Sequence, residues 1–158
     1  MLFRSEADAE VVASDTGFRT FRLDASNIHA WSPDSSDLDE SLLGHLEHIK
    51  ADRTAHDVLY EVLLKLGLDL CVPIEERVIA GQPVQFIGGG VLVTCLSERL
   101  QSAEALTIAE SIPMWLKELG TAGDVTCVFR DSAFDDDVTK TNVAAILEQN
   151  GIARVRSL

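Results

Sequence analysis

The sequence is poor in basic residues and contains no long apolar run. Its 13 Lys and Arg are outnumbered by 26 Asp and Glu, which gives a formal net charge of −13. This sign is opposite to that of a domain that binds phosphate backbones, so stand-alone nucleic-acid binding is not expected. No stretch approaches the ~18 consecutive apolar residues of a membrane span, and no basic region followed by an apolar run marks a secretory signal. We therefore expect a cytoplasmic protein that does not associate with a membrane.

Cysteine is equally scarce, and the chain has no cysteine pair at metal-binding or redox spacing. The three cysteines are Cys71, Cys95 and Cys127. Their odd number, wide spacing and apolar neighbours predict buried thiols in a reducing compartment. His45, His48 and His56 also lack the spacing of a metal site, and His45 and His48 are interpreted as surface imidazoles. The chain contains neither G-x-S-x-G nor G-x-x-x-x-G-K-[ST], so neither a nucleophile elbow nor a P-loop is predicted.

What the sequence does contain is a succession of short apolar segments, which suits one compact domain of 158 residues. Residues 1–16 show no period and are expected to be a flexible N-terminal segment, followed by a single α/β domain over 17–158. Strands are predicted at 18–23, 74–80, 84–87, 91–96, 125–130 and 152–158, and helices at 38–49, 54–66, 102–112 and 136–150. Pro113 is expected to interrupt the third helix, and 91–96 is interpreted as the central strand.

The order of these elements gives the expected fold class. It is α/β, with an N-terminal strand and two helices, a β-hairpin, and then a βαβαβ unit. Strand, helix, strand, helix, strand is the pattern of right-handed crossovers between parallel strands. Because the hairpin adds antiparallel pairing, we expect a mixed, mostly parallel sheet.

A cluster of carboxylates follows the predicted strand 125–130, where open α/β sheets commonly place their sites. Asp131, Asp136 and Asp137, together with Asp135, could bind a hard cation such as Mg²⁺ through their oxygens. That interpretation gives the alternative function of a small metal-dependent hydrolase or nuclease. Aspartates at a helix N-terminus also cap free N–H groups and oppose the helix macrodipole, and this structural interpretation is favoured.

A run of glycines offers a formal match to a cofactor loop. Residues 86–90 (FIGGG) fit F-x-G-x-G, the loop that binds S-adenosylmethionine in many methyltransferases. Such a loop lies between a strand and a helix, so that the helix N-terminus faces the ligand. Here an apolar, strand-like run follows the glycines, which favours a turn or bulge between two strands.

Tryptophans and arginines supply the remaining candidates for contacts with partners. The tryptophans, which suit either an interface anchor or core packing, are Trp31 and Trp115. A DNA-contacting module is a further hypothesis, and it requires several arginines to converge on one face despite the net negative charge. These arginines are Arg19, Arg22, Arg154 and Arg156.

Four stretches of the chain carry a family resemblance. They are residues 17–27 (GFRTFRLDASN), 57–70 (DVLYEVLLKLGLDL), 129–142 (FRDSAFDDDVTKTN) and 151–158 (GIARVRSL). Together they resemble the C-terminal region of the adenine-specific DNA methyltransferase subunit, the modification subunit, of type III restriction-modification systems. The similarity covers about residues 17–158. Ala133 stands where the family often has Gly, and Asp135 where a Lys is frequent, so this loop is more acidic here.

The resemblance implies a domain without catalytic residues of its own. Methyl transfer in the family needs a D-P-P-Y type motif and F-x-G-x-G, and both belong to earlier parts of the subunit. This chain has no Pro-Pro dipeptide, so no catalytic or cofactor-binding residue is carried over, and S-adenosylmethionine is expected only in the parent protein.

The implied role is subunit assembly. It would consist of dimerisation, contact with the restriction subunit, or both, with DNA reached only through the full-length parent. An assembly module of this kind is expected to expose an apolar patch.

Overall fold

The computed structural model describes residues 18–29 and 49–158, which form an α/β fold around one mixed five-stranded sheet. The strands are β1 (Ile74–Ile79), β2 (Gln82–Ile87), β3 (Leu92–Cys95), β4 (Thr126–Phe129) and β5 (Arg154–Ser157). The helices are α1 (Ala55–Leu66), α2 (Ser102–Glu118) and α3 (Asp137–Gln149), with a 3₁₀ turn at Asp131–Ala133. The predicted flexible segment 1–16 and residues 38–48 of the first predicted helix lie outside the described residues.

The sheet runs in the order β1-β2-β3-β4-β5. The pairs β1–β2 and β2–β3 are antiparallel, whereas β3–β4 and β4–β5 are parallel. The predicted α/β class with a mixed sheet is confirmed. Parallel pairings make up half of the ladder rather than most of it, because β2 returns directly into β3 and joins the hairpin to the parallel strands.

β3 is the central strand, as predicted, and it is covered on both faces. Its four residues are each at most 1% exposed. Leu92 packs in the core beneath α1, whereas Val93 and Cys95 pack in the larger core beneath α2 and α3. This alternation follows from the two-residue period of a strand. Among the described residues, one helix therefore covers one face of the sheet, and two helices cover the other.

The hairpin and α1 form from local sequence signals. Ala80 and Gly81 have positive φ angles of 51° and 82°, which is the two-residue turn that matches the twist of paired strands. At the start of α1, Thr54 accepts a bond from the Asp57 N–H at 3.3 Å and Asp57 accepts one from the Thr54 N–H at 2.9 Å. Gly67 ends the helix with a left-handed φ of 69°. The predicted boundaries of α1 are confirmed. The predicted hairpin is also present, but its second strand begins at Gln82, two residues earlier than predicted.

The prediction that Pro113 interrupts α2 is wrong. The helix continues unbroken from Ser102 to Glu118 with Pro113 inside it. Proline removes one intrahelical hydrogen bond, which costs about 3 kcal/mol in an isolated helix. Ile108, Ile112 and Leu116 lie on the buried face on both sides of Pro113, so the packing of the helix against the sheet offsets this loss. Among the described helices, none is both long and apolar enough to cross a membrane.

The strand predicted at 18–23 is also wrong. These residues have no regular secondary structure and make no ladder pairing. Farther along the same stretch, Ile28 forms an isolated antiparallel bridge with Ile49. Residue types such as those of Phe18, Phe21 and Leu23 occur often in strands. A strand also needs a neighbouring backbone to pair with, and the edges of this sheet lie elsewhere.

Candidate interaction surface

The stretch 18–29 is held on α1 by a partly buried hydrogen-bond cluster centred on Glu61. One carboxylate oxygen of Glu61 accepts from the Asn27 N–H at 2.7 Å, and the other accepts from the Ser26 hydroxyl at 2.6 Å. The Asn27 side chain donates to the Asp57 carbonyl at 2.8 Å, and Asn27 is only 7% exposed. α1 therefore supplies the acceptors that fix the path of this non-helical stretch.

The environment of Glu61 keeps its carboxyl group ionised. Burial raises its pKa, but hydrogen bonds from Lys65, Ser26 and Asn27 lower it, and the resulting pKa is about 2. Lys65 lies one turn along α1 and pairs with Glu61 at 2.8 Å. The anionic form is the form that accepts all these bonds, so the cluster is intact at neutral pH.

A second attachment lies at Asp24. Its carboxylate accepts from Arg53 at 3.1 Å and from the Ala25 N–H at 2.7 Å. These two contacts lower the pKa of Asp24 to about 2. Lys50 adds a bond from its Nζ to the Ser26 carbonyl at 2.6 Å. The stretch is thus tied to residues on either side of the start of α1.

Just before Asp24 in the chain, apolar side chains are presented to solvent. Phe21 packs edge-on against Tyr60 with ring centroids 5.1 Å apart, yet it remains 46% exposed. Leu23 is 93% exposed and Leu64 is 57% exposed. These side chains line one groove of about 850 Å³ between the stretch and α1. We call Phe21, Leu23, Tyr60 and Leu64 the Phe21 surface.

Clustered apolar exposure of this kind is uncommon on a monomer. Single exposed apolar residues are normal, but several lining one groove mark interaction sites. Phe18, which precedes the Phe21 surface in the chain, is 88% exposed. The stretch is ordered on α1 by hydrogen bonds to the ionised carboxylates of Glu61 and Asp24, although Phe21 and Leu23 bury little apolar area in this arrangement. The arrangement suits a surface that is completed by another molecule.

The predicted acidic loop is engaged in structural contacts. Asp136 caps α3, because its carboxylate accepts from the Thr139 N–H at 2.7 Å and from the Thr139 hydroxyl at 2.9 Å. These bonds lower the pKa of Asp136. Asp131 accepts from Lys140, and Asp137 lies exposed in the first turn of α3. The capping interpretation is confirmed for Asp136.

The described residues contain no group of three or more His, Cys, Asp or Glu side chains that could hold a metal ion. A polar cavity of about 610 Å³ does lie nearby, at the start of α2. Glu104 and Asp135 are among its lining residues. The Glu104 carboxylate accepts from the Gln82 side chain at 3.2 Å and from the Gln101 N–H at 3.0 Å. These partners belong to the hairpin and to the end of the helix, so Glu104 has a structural role.

The triple glycine does not form a cofactor loop. Gly88, Gly89 and Gly90 lie between the antiparallel strands β2 and β3, and no helix begins after them. The residues present therefore do not fit an S-adenosylmethionine loop, and the interpretation as a strand-to-strand turn is confirmed. Gly90 also lies against the end of α2, where a Cβ atom would come within 2.5 Å of Thr121 Oγ1.

The cysteine prediction holds for two of the three thiols. Cys95 and Cys127 are buried, and burial raises the pKa of both, that of Cys127 to about 12. Cys71 is exposed, so its predicted burial is wrong. It lies in the turn between α1 and β1, where its N–H donates to the Asp69 carboxylate. Apolar sequence neighbours alone do not bury a residue in such a turn.

The four arginines of the DNA-contact hypothesis fall into two groups on different elements. Arg19 and Arg22 belong to the stretch beside α1, where Arg19 donates to the Leu70 carbonyl at 3.3 Å. Arg154 and Arg156 belong to β5. Arg22 and Arg154 each pair with an aspartate, so neither presents an unpaired charge.

The remaining sequence candidates have ordinary surroundings or lie outside the described residues. His56 is exposed near the start of α1. Trp115 is half-buried against the larger core, and the Arg77 guanidinium lies 3.8 Å from its ring centroid. His45, His48 and Trp31 lie outside the part of the chain that the structure describes.

Comparisons with protein-family models, with curated proteins and with solved structures each found no match to this chain. No relative therefore supplies residue roles, and those given above come from the contacts of this chain. Glu61 and Asn27 were not predicted as site residues, because the two are separated by 34 positions in the chain. A signal was present in residues 18–23, where apolar residues are interspersed with polar ones but no turn connects the segment to a neighbouring strand.

Proposed function

We propose that this chain is the non-catalytic C-terminal domain of a site-specific adenine DNA methyltransferase of a type III restriction-modification system, and that it acts in subunit assembly. The resemblance over residues 17–158 supports the family. Two of the resembling stretches, 17–27 and 57–70, supply the residues of the Phe21 surface. The proposed contact is with a second modification subunit, with the restriction subunit, or with both.

The observation that carries the proposal is the exposed Phe21 surface. Phe21, Leu23 and Leu64 line one groove and are held in place by the Glu61 cluster rather than by burial. Because this surface is already ordered before a partner binds, binding does not carry the entropy cost of ordering the chain. An apolar groove flanked by ion pairs is also the composition of a protein interface.

The net charge of −13 agrees with this role. A domain that holds subunits together beside DNA needs no basic face of its own, since other parts of the parent protein would contact the phosphates. In the proposed assignment the S-adenosylmethionine site and the base-binding motif likewise belong to the parent protein.

The test compares two double variants of the full chain. Phe21→Ser with Leu23→Ser removes apolar groups from the Phe21 surface, whereas Met114→Ser with Val138→Ser removes similar groups exposed elsewhere, at 65% and 68%. We expect the first pair to weaken self-association, or binding to the purified restriction subunit, on the order of tenfold or more. The second pair should leave both unchanged. Sedimentation velocity over a dilution series and a binding titration measure the two contacts.

Two results would contradict the proposal. The first is a strict monomer at high concentration that also fails to bind the restriction subunit. The second is equal behaviour of the two double variants, which would remove the Phe21 surface as the site of assembly.

A further inference from the structure

The groove beside the Phe21 surface is lined by acidic side chains that the fold already uses. They are Asp24, Asp57 and Glu61. Asp24 and Glu61 accept the hydrogen bonds that hold the stretch 18–29 on α1. Asp57 accepts from the Thr54 N–H at 2.9 Å and from the Thr54 hydroxyl at 2.7 Å. The negative charge of the groove is therefore bound to groups of this chain.

Two arginines of the same groove keep hydrogen-bond donors for another molecule. Arg19 and Arg22 lie on either side of Phe21 in the chain, and both line the groove. Among the described residues, Arg19 donates one side-chain bond, to the Leu70 carbonyl at 3.3 Å. Arg22 pairs with Asp24 at 3.4 Å, but 89% of its side chain is exposed, and an exposed pair contributes little. Because each guanidinium has five N–H donors, the charge that the groove offers to a partner is positive, in a chain with a net charge of −13.

The apolar side chains of the groove are exposed beside these charges. Leu23 is 93% exposed and Leu64 is 57% exposed, and both line the groove. Its volume of about 850 Å³ is within the range of pockets that enclose a small ligand, so a short run of side chains can enter it. A complementary molecule has apolar groups for the leucines and anionic groups for the two arginines.

The concave shape of the groove favours a segment of a different surface over a second copy of this groove. In a symmetric pair of subunits the same patch of each copy meets itself. Two grooves that face each other would leave both unfilled, and the arginines of both copies would lie in one interface. The segment that fits projects from its own protein and carries carboxylates beside apolar side chains.

We propose that the groove binds an acidic segment of a partner protein, whose apolar side chains contact the Phe21 surface and whose carboxylates pair with Arg19 and Arg22. The inference rests on the proposed assembly function and names the chemistry of the partner segment. Arginine forms two parallel N–H···O bonds with a carboxylate, which fixes the orientation of the segment. The aromatic rings of Phe21 and Tyr60 provide the apolar anchor.

A single-stranded nucleic acid is the other class of molecule that binds arginines and aromatic rings together. It is disfavoured because the carboxylates of Asp24, Asp57 and Glu61 line the same groove and repel a continuous row of phosphates. Leu23 and Leu64 also offer no flat face on which a base could stack. A segment with two carboxylates places its charge only beside the two arginines.

Short peptides test the charge preference of the groove with the full chain. The probe is Glu-Leu-Phe-Leu-Glu with blocked ends and an uncharged fluorescent label, and two matched peptides carry Gln or Lys in place of both Glu. An exposed ion pair changes affinity by a factor of up to about five, so we expect the Glu peptide to bind about fivefold more tightly than the Gln peptide. The Lys peptide should bind more weakly than both. Fluorescence anisotropy at low salt measures the three affinities.

A charge reversal in the groove gives the decisive result. Arg19→Glu with Arg22→Glu should reverse the preference, so that the Lys peptide binds more tightly than the Glu peptide. Binding in this new sense also shows that the variant is folded. Arg154→Glu with Arg156→Glu makes the same change of charge on exposed residues of β5 and should keep the original preference.

The apolar part of the groove is tested by Phe21→Ser with Leu23→Ser, which should weaken binding of the Glu peptide on the order of tenfold. The assembly of this double variant separates the inference from the proposed function. If the peptide preference follows the charges but the variant assembles like the unmodified chain, the groove binds acidic segments and the assembly function is wrong.

Three results overturn the proposal. The first is equal binding of the three peptides, or no binding of any of them. The second is a retained preference for the Glu peptide in the chain with Arg19→Glu and Arg22→Glu. The third is displacement of the Glu peptide by oligothymidylate at a comparable concentration, which would identify a nucleic-acid site. In each case the assembly function still stands if Phe21→Ser with Leu23→Ser weakens the association of subunits.

Discussion

At the scale of single residues, the fold depends on a few groups whose partners are distant in sequence. Glu61 is the clearest case, because its two oxygens join α1 to Ser26 and Asn27. A carboxylate is suited to this place since each oxygen accepts more than one bond and hydrogen bonds to a charged acceptor are stronger than neutral ones. The apolar Phe21 surface is therefore positioned by a polar residue on the neighbouring turn of α1.

Gly90 is a residue at which the addition of a single methyl group should greatly lower the free energy of unfolding. Its φ is 93°, and an added Cβ would lie 2.5 Å from Thr121 Oγ1 and 2.7 Å from a methyl group of Leu116. Gly90→Ala should lower the free energy of unfolding by about 2–4 kcal/mol, from the left-handed backbone and from overpacking. Gly89→Ala is the matched control, because its φ of 70° is also positive but its Cβ would meet nothing within 4 Å. Urea titrations measure both, and equal losses would show that close packing at Gly90 is unimportant.

At the scale of elements, the predictions that are confirmed depend on local signals. The capping residues of α1 and the turn between β1 and β2 lie within a few positions of the structure they specify, so the sequence alone predicts them. The predictions that are wrong needed distant partners. Residues 18–23 have strand-forming side chains but no neighbouring backbone, and Pro113 remains helical because the sheet packs beneath it. Cys71 is exposed because the fold of its turn, and not its apolar neighbours, decides its direction.

The candidate site was less predictable than the fold for the same reason. Asp136 could be interpreted as a cap from its place before an apolar helix, and that interpretation is confirmed. The link between Glu61 and Asn27 had no local signature, and exposure of Leu23 and Leu64 follows only from the path that this link fixes. Contacts between positions far apart in the chain decide which apolar residues remain outside the core.

α3 provides a test that separates capping from metal binding. Asp136→Ala removes the acceptor of two bonds from Thr139, so we expect the thermal midpoint to fall by about 2–6 °C. Asp137→Ala, in the first turn but without the cap bonds, should change it by about 1–2 °C at most. Calorimetry with and without millimolar Mg²⁺ completes the test, and no metal-dependent rise is expected. A rise that Asp136→Asn abolishes would favour the hydrolase alternative instead.

At the scale of the whole molecule, two opposing effects of acidification act on stability. Protonation reduces the net charge of −13, which relieves repulsion in the folded state. It also removes the charged acceptors that hold residues 18–29 on α1. The first effect is shared by most carboxylates, and the second belongs to Glu61 and Asp24, whose pKa values are about 2 when folded.

A comparison of variants isolates the second effect from the first. Because the folded pKa of Glu61, about 2, lies below the ordinary value of 4.5, its contribution is complete above pH 4.5 and is lost as the pH falls toward 2. Glu61→Gln should therefore lower the free energy of unfolding by about 1–2 kcal/mol at pH 7, and this difference should shrink as the pH approaches 2. Glu110→Gln, on the exposed face of α2, carries the same change of charge and should show no such pH-dependent difference. Urea titrations at pH 7, 5, 3 and 2 measure the three chains, and a difference that stays constant down to pH 2 would mean that the ionised form of Glu61 does not hold the Phe21 surface in place.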